Sequence, residues 1–210
     1  MTPYKVIFFD WDGVITDSVD VKTEAYFDMF AEFGSEVQIK VKEHHLKNGG
    51  ISRYEKFKLY YKNYLNINIS EEKISELSDK FSLLVKDKVI NSPFVDGAVE
   101  TIMAEFTKGT KLFVVTGTPT CEIIEIAKAK EIFDYFVELC GSPTKKTEIV
   151  SNLISKYSLN PKNCLFIGDA LADYEAAKAN GMDFLGIVKY GIVNLFPEGT
   201  KISNKVGLIF

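Results

Sequence analysis

The sequence predicts an α/β fold, in which a doubly wound, Rossmann-like parallel sheet core carries an inserted all-helical cap subdomain. Short apolar runs alternate with helical patterns near both ends of the chain, which is typical of buried parallel strands joined by crossover helices. The middle of the chain has helical patterns only. We therefore expect a core built from residues 1–17 and 92–210, interrupted by a helical cap over 18–91.

Five apolar runs, rich in Val, Ile and Phe on both faces, are the predicted core strands: Lys5–Phe9, Lys111–Val115, Asp134–Leu139, Asn163–Ile167 and Phe184–Val188. The segments between them place apolar residues one helical turn apart, as in Ala98, Ile102 and Phe106. In the cap, Tyr54, Phe57, Tyr61 and Leu65 repeat at helical spacing, and Ser70 is a candidate N-cap for the next helix. The two adjacent crossings between core and cap suit a hinged lid.

Composition excludes several classes of protein. The 210 residues, 46% hydrophobic and 26% charged, correspond to one globular domain or one domain with an insertion. A net charge of -4 gives no sign of a nucleic-acid partner, and the early apolar run is too short for a membrane span or a signal segment. Three cysteines without a CxxC pair favour a reducing compartment. We expect a cytoplasmic protein whose oligomeric state is open.

Polar and charged residues follow three of the predicted strands, where ligands of parallel sheets bind. They are Asp10 and Asp12 after the first strand, Thr116 and Gly117 after the second, and Asp169 with Asp173 after the fourth; Lys145 and Lys146 begin the helix before that fourth strand. Carboxylates packed together repel one another and need a cation. Oxygen ligands of this kind suit Mg²⁺, which is often bound by protein carboxylates and a phosphate together.

This set of residues can transfer a phosphoryl group. Strand alternation points Asp10 and Asp12 the same way, so one can attack phosphorus as the nucleophile while the other is the general acid and base. Lys146, Thr116 and the N–H groups around Gly117 would hold the phosphoryl oxygens. Each residue also has a plainer interpretation as a solvated acid, a surface lysine or, for Thr116, a cap of the helix that begins near Pro119. Their convergence at one sheet edge favours a single site.

The segments VIFFDWDGVITDS, VVTGT, GSPTKK and FIGDALAD resemble the four ordered motifs of the haloacid dehalogenase-like (HAD) hydrolase superfamily. A helical insert after the first motif is similar to the C1-capped group of phosphoglycolate phosphatases and β-phosphoglucomutases. The resemblance covers essentially the whole chain. It implies an Mg²⁺-dependent enzyme in which Asp10 is the nucleophile and a metal ligand, and Asp12 is the acid/base and a ligand through its main-chain oxygen.

The other motif residues acquire roles from the same resemblance. Thr116 and Gly117 would bind the phosphate, Asp169 would complete the metal site, and Asp173 would support it from behind. The motif lysine is doubled: Lys146 fits better, and Lys145 remains an alternative. The presence of Asp12 disfavours dehalogenation and C–P cleavage, because the enzymes that perform them replace the second aspartate.

The segment KNGGISR, residues 47–53, is the most turn-like place in the cap, and Arg53 is the only arginine among the 25 basic residues. We hypothesise that this loop closes over the site and that Arg53 contacts an anionic or polyhydroxyl part of the substrate. The alternative is a turn within the cap whose Arg53 pairs with a surface acid. His44 and His45 are interpreted as surface or packing residues.

The sequence thus predicts a phosphatase that hydrolyses a small phosphorylated metabolite through an aspartyl-phosphate, with Mg²⁺ as cofactor. A sugar phosphomutase of the β-phosphoglucomutase type is the nearest alternative. A less favoured alternative is a signalling domain controlled by phosphorylation of an aspartate. The substrate itself is left open, because cap shape rather than fold sets specificity.

Overall fold

A computed structural model describes residues 4–207 of the chain, so the ends of the predicted core, 1–3 and 208–210, lie outside the described residues. Within 4–207 the core is a sheet of six parallel strands in the order β3-β2-β1-β4-β5-β6. The strands are β1 Val6–Phe9, β2 Lys111–Pro119, β3 Glu138–Ser142, β4 Cys164–Gly168, β5 Asp183–Ile187 and β6 Ile202–Ser203. The predicted fold class is confirmed.

Eight α-helices connect or cover these strands over the same residues. They are α1 Val19–Met29, α2 Ser35–Lys47, α3 Arg53–Leu65, α4 Glu71–Asn91, α5 Ala98–Thr107, α6 Thr120–Ala129, α7 Lys146–Lys156 and α8 Leu171–Ala179. Short 3₁₀ turns cover Ala31–Phe33, Phe133–Tyr135 and Pro161–Asn163. Helices α1 to α4 follow one another between β1 and β2, as the insertion predicts, while the exact limits 18–91 of a cap stay a prediction.

The first strand is buried on both faces, because its alternating side chains enter two separate hydrophobic clusters. Ile7 and Phe9 pack into one cluster, and Val6 and Phe8 into the other. The Phe8 ring stacks on Phe113 with 5.1 Å between the ring centroids and on Phe166 with 6.3 Å between them. A strand with no solvated face explains the continuous apolar run of the sequence.

The third predicted strand, Asp134–Leu139, is partly wrong. Phe133–Tyr135 forms a 3₁₀ turn, and the strand begins only at Glu138, which pairs with Phe113 of β2. The apolar residues before it are there for packing: Ile132 and Phe136 are buried in the same cluster as Phe9. A buried turn and a buried strand give the same apolar signal, so periodicity could not separate them. Strand β6 had no signal because it is only two residues long.

The helices of the insertion pack through aromatic rings, and two of them, α3 and α4, begin after a serine N-cap. Tyr26 of α1 packs against Phe57 of α3 and Phe81 of α4, with ring centroids 5.6 and 4.3 Å apart respectively. The predicted N-cap is confirmed, since the Ser70 hydroxyl accepts a hydrogen bond from the Lys73 N–H at 3.3 Å. None of the helices in residues 4–207 is long and apolar enough to cross a membrane.

The chain leaves the sheet for the insertion and returns from it at adjacent points. The Asp17 N–H donates to the Pro93 carbonyl at 2.9 Å, and the Val95 N–H donates to the Ile15 carbonyl at 3.0 Å. The two crossings are therefore tied together by backbone hydrogen bonds rather than running independently.

Truncation of the central aromatic stack tests this account of the sheet. We expect Phe8→Ala to lower the free energy of unfolding by about 3–5 kcal/mol, because the cavity it leaves is lined by rigid sheet residues. Urea denaturation measures the change. The matched control is Phe106→Ala, whose ring is 48% exposed and whose loss should cost about 1 kcal/mol or less. Equal losses for the two variants would contradict the packing described here.

Candidate active site

A lysine lies between two buried aspartates at the carboxyl edge of the sheet. Asp10 follows β1, Lys146 is the first residue of α7, and Asp173 lies in α8. The Lys146 Nζ is 2.9 Å from Asp10 Oδ1 and 2.5 Å from Asp173 Oδ1. Burial alone would lower the pKa of Lys146, but the charges of Asp10 and Asp173 more than compensate and raise it. Lys146 is therefore a permanent cation at this site.

The two adjacent lysines lie in different surroundings, and the identity of the motif lysine stays a prediction. The Lys145 side chain is 73% exposed and points toward the insertion, where its Nζ is 3.5 Å from Glu55 Oε1. Lys146, in contrast, contacts both aspartates and is buried. Of the two lysines, Lys146 is the one placed to meet a substrate at Asp10.

Three carboxylates form an electrostatically strained cluster. Asp10, Asp169 and Asp173 each offer an oxygen, and these atoms all lie within 4.8 Å of one another. Burial, together with the charges of Asp10 and Asp173, raises the pKa of Asp169 well above its usual value. Burial and the Asp10 charge likewise raise the pKa of Asp173 to about 7. A divalent cation bound by oxygen ligands would relieve this repulsion, so the donor set fits Mg²⁺.

Asp173 already has partners for both of its oxygens. Its Oδ1 contacts Lys146, and its Oδ2 accepts a hydrogen bond from the Ala170 N–H at 3.1 Å. Asp10 and Asp169 are consequently better placed to bind a metal, with Asp173 holding Lys146 and the start of α8. A supporting role of Asp173 behind the metal site stays a prediction.

Glycine is required at position 13. Its φ of +81° is unfavourable for residues with a side chain, and a Cβ there would lie 2.1 Å from Asp169 Oδ2. The backbone after Asp12 can therefore approach the Asp169 carboxylate closely. This brings the turn after β1 into the same site as the loop after β4.

Asp12 is held by residues of the first crossing and by Lys22 of α1. Its carboxylate accepts a hydrogen bond from the Ser18 hydroxyl at 2.6 Å and forms a very short ion pair with the Lys22 ammonium. Burial would raise the pKa of Asp12, but the charge of Lys22 and these hydrogen bonds lower it. The sequence analysis missed Lys22, because one lysine among many on a helical segment carries no signal of its own.

Thr116 and Gly117 lie in the last part of β2, the strand that pairs with β1. The Thr116 hydroxyl is buried and accepts a hydrogen bond from the Thr118 N–H at 3.2 Å, so its own proton is available for a ligand. The alternative role of Thr116 as a helix cap is not observed, since α6 begins after Pro119 without a side-chain cap. Gly117 lines the cavity described below.

The turn at 47–53, here called the cap loop, lies directly on the core. A Cβ on Gly117 would be 3.0 Å from the Gly50 carbonyl oxygen, and one on Gly50 would be 3.1 Å from Lys146 Nζ. Gly49 approaches the core in the same way, since a Cβ at that position would lie 3.1 Å from the Ala170 Cβ. Side chains at Gly49 and Gly50 would push the cap loop away from the site.

Arg53 joins the insertion to the core. Its guanidinium forms two parallel hydrogen bonds with Glu122 of α6, at 2.9 and 2.8 Å, and a third with the Ser82 hydroxyl at 2.6 Å. Glu122 is buried; burial opposes its ionisation, but the Arg53 charge and hydrogen bonds lower its pKa. The partner is thus a buried acid of the core rather than the surface acid of the alternative hypothesis. A contact between Arg53 and a substrate stays a prediction.

Between the cap loop, α1, α3 and the sheet edge lies a cavity of about 100 Å³. Asp10, Asp12 and Asp169 line its core side, and Lys22, Arg53 and Lys56 are among the residues that line its other side. His45 also lines it and contacts Lys56, with 2.8 Å between Nδ1 and Nζ. Burial, followed by the Lys56 charge, lowers the pKa of His45 well below its usual value, so its imidazole is neutral. The second histidine, His44, packs its ring against Tyr60.

The model of one protein family, described as haloacid dehalogenase-like hydrolase, matches residues 4–181. The chain belongs to this family. The four motifs of the sequence all fall inside the matched range, and their residues meet at the sheet edge. The resemblance inferred from those motifs is therefore confirmed.

Curated relatives cover most of the chain. A phosphoglycolate phosphatase of Pasteurella multocida is 28% identical over 201 residues, which is 91% of this chain and 88% of that protein. A 5'-nucleotidase of Pseudomonas aeruginosa is 28% identical over 193 residues, or 88% of this chain and 82% of that protein. The family and these named phosphatases confirm the prediction of a HAD-like phosphoric monoester hydrolase.

Solved structures agree on the fold. A predicted phosphoglycolate phosphatase from Haemophilus somnus has a TM-score of 0.74 at 23% identity, covering 98% of this chain and 96% of that one. The β-phosphoglucomutase of Clostridium difficile also has a TM-score of 0.74, at 22% identity, covering 89% of this chain and 86% of that one. The same fold thus occurs in proteins named for both reactions that the sequence analysis left open.

The ion pair between Arg53 and Glu122 should contribute strongly to stability. We expect Arg53→Met or Glu122→Leu alone to lower the free energy of unfolding by about 3–5 kcal/mol, because each leaves a buried charge unpaired. The double variant should lose less than either single one. Urea denaturation of all four proteins gives the coupling.

The exposed Lys86–Glu125 pair, which also joins α4 to α6, is the control for this cycle. Its Lys86→Met variant should lose about 1 kcal/mol or less. Single losses at Arg53 and Glu122 no larger than this control would show that the buried pair is not a structural link.

Lys56 should make stability depend on pH. Burial, with the Lys22 charge next, lowers its pKa to about 7 from 10.5. Between these values the unfolded chain binds more protons than the folded one, so the Lys56 contribution to stability rises with pH. Lys56→Met should therefore be more stable than the wild type at pH 7, by a margin that shrinks by up to about 1 kcal/mol per unit as pH increases. Urea denaturation from pH 7 to 9 measures this margin.

The control for the pH series is Lys58→Met, on the same helix but with a side chain that is 52% exposed. Its stability relative to the wild type should not change over this range. A Lys56→Met margin that is equally independent of pH would contradict a depressed pKa at Lys56.

Proposed function

We propose that this protein is an Mg²⁺-dependent phosphatase that releases phosphate from a small phosphorylated metabolite through an aspartyl-phosphate on Asp10. The observation that carries the proposal is the placement of Lys146 between the buried Asp10 and Asp173 carboxylates, with Asp169 beside them and the cap loop above. A buried carboxylate nucleophile is suited to phosphoryl transfer when a fixed cation and two further carboxylates, which favour a bound metal ion, lie beside it.

In the first step an Asp10 carboxylate oxygen attacks phosphorus, and the bond from phosphorus to the leaving oxygen breaks. Asp12 gives its proton to that oxygen. The Lys146 ammonium, the Thr116 hydroxyl and the Gly117 N–H hold the phosphoryl oxygens as charge moves. Asp10 and Asp169, with the main-chain oxygen of Asp12, would hold Mg²⁺, which supplies charge neutralisation when bound.

In the second step water attacks phosphorus and gives a proton to Asp12, and the bond between phosphorus and Asp10 breaks. The lowered pKa of Asp12 keeps its carboxylate ionised, which is the form that can accept a proton. For the first step Asp12 must instead carry a proton, so its ion pair with Lys22 has to separate before the leaving oxygen is protonated. Lys22 therefore links substrate binding to the protonation of Asp12.

The cap loop would exclude bulk water while the phosphoryl group is on Asp10. Its backbone lies on Gly117 and Lys146, so substrate can enter only if the loop moves away. The cavity of about 100 Å³ favours a small substrate. The names of the relatives point to phosphoglycolate and nucleotides as the substrates to try first.

Phosphate release from a panel of phosphorylated metabolites, with Mg²⁺ and with chelator, tests the proposal. Asp10→Asn should lower kcat/KM by at least about 1,000-fold, because the nucleophile is lost. Chelation should abolish turnover of the wild type, and added Mg²⁺ should restore it. The control is Asp134→Asn, which changes an exposed aspartate in the 3₁₀ turn Phe133–Tyr135. Its kcat/KM should equal that of the wild type.

Two other outcomes would replace the proposal. Transfer of the phosphoryl group to a second hydroxyl, with a bisphosphate retained, would indicate a phosphomutase. A stable aspartyl-phosphate without turnover would indicate a signalling domain.

A further inference from the structure

The cavity above Asp10 is lined by three buried cations of the described chain, and they differ in whether an acid neutralises them. Lys22 is paired with Asp12, and Arg53 is paired with Glu122. Lys56 is 2% exposed. Among residues 4–207 it forms no ion pair with a carboxylate; its Nζ contacts the Nδ1 of His45.

The surroundings of Lys56 disfavour its charge. On α2 the neutral His45 can accept one hydrogen bond, and on α1 the Tyr26 ring lies with its centroid 5.6 Å from the Lys56 Nζ. Among the surrounding charges, the ammonium of Lys22 on α1 affects the Lys56 pKa most and lowers it. Asp12 raises that pKa by less, Lys146 lowers it further, and Asp169 raises it least. A buried ammonium without a counterion is expensive, and the lowered pKa of Lys56 is consistent with that cost.

Lys56 lines the same cavity as Asp10, so an anion bound inside would reach it. We propose that Lys56 binds a second anionic group, a carboxylate or a second phosphoryl group, of the substrate whose first phosphoryl group lies at Asp10. This inference rests on the proposed phosphatase function and narrows its substrate class to compact phosphorylated acids. Lys56 is then a specificity residue, and its missing counterion is supplied by the substrate.

The size of the cavity limits that substrate. An apolar cavity of about 150 Å³ accommodates one benzene molecule, and the space above Asp10 is about 100 Å³. With the cap loop in the position described here, a substrate that places both groups in this space has a short carbon chain between its phosphoryl group and its second anionic group. Arg53 cannot easily take over this role, because Glu122 and Ser82 already occupy its Nη atoms.

Selectivity between charged and neutral substrates tests the inference. The probes are 2-phosphoglycolate, which carries a carboxylate, propane-1,3-diol bisphosphate, which carries a second phosphoryl group, and ethyl phosphate, which carries neither. For the wild type we expect kcat/KM to be at least about 10-fold higher for one of the two charged probes than for ethyl phosphate. Which of the two is preferred identifies the kind of anion.

Substitution of Lys56 should remove this preference. Lys56→Met should lower the ratio of kcat/KM for the preferred charged probe to that for ethyl phosphate by about 10–100-fold, and Lys56→Arg should retain part of it. Lys58→Met, a neutralisation of an exposed lysine on the same helix, should leave the ratio as in the wild type. A wild type without preference, or an unchanged ratio in Lys56→Met, would overturn the inference.

A binding measurement separates this inference from the proposed function. Calorimetric titration of Asp10→Asn with the same probes reports binding without turnover, and adding Lys56→Met should weaken binding of the preferred charged probe by about 10–100-fold relative to ethyl phosphate. If no probe or metabolite is hydrolysed, the proposed function fails, and this titration alone decides the role of Lys56. If hydrolysis requires Asp10 but binding is indifferent to Lys56, only the inference fails.

Discussion

Repulsion between buried carboxylates is the constraint on which the site depends. Asp10, Asp169 and Asp173 lie so close that burial and the neighbouring carboxylates raise the pKa of Asp169 and Asp173. The Lys146 charge opposes this rise at both aspartates, and the Ala170 N–H opposes it at Asp173. The parallel sheet imposes the crowding, because β1 and β4 are neighbours and both end at the same edge. A buried carboxylate beside a fixed cation, and a cluster of oxygens that could hold a metal ion, thus follow from one arrangement of the backbone.

Buried charged side chains also lie between the insertion and the core, and they act in two different ways. The Arg53–Glu122 pair is fully satisfied, so it fixes the position of α3 against α6 without needing a ligand. Lys56 is not satisfied by any carboxylate of the described residues, so it lowers stability unless a ligand supplies charge. Residues that serve binding often lower the stability of the folded protein, which is the known trade-off between stability and function. At the same interface, Arg53 therefore holds α3 on the core, whereas Lys56 is left to bind an anionic ligand.

The sequence predicted those parts of the fold and site that depend on strand order, and missed those that depend on helix packing. The strand-end residues Asp10, Thr116 and Asp169 could be placed together because parallel strands end at one edge. Lys22 and Lys56 could not be placed there, because tertiary packing decides which face of a helix points toward the core. The sequence offers many similar lysines and does not distinguish these two. The partner of Arg53 was beyond prediction for the same reason: Glu122 lies 69 positions away.

Because the chain leaves the core and returns to it at adjacent points, the whole insertion is topologically a single long loop between β1 and the rest of the core. Its two ends are hydrogen-bonded to each other through Asp17 and Pro93, at a point where a short turn could close the core chain. Strand order and the strand-end residues Asp10, Asp12 and Asp169 belong to the chain outside these helices, whereas Lys22, which pairs with Asp12, lies within them. Under the proposed function, a different set of helices at this junction would change the lining of the cavity at the same sheet edge, provided that it replaced the contact of Lys22 with Asp12.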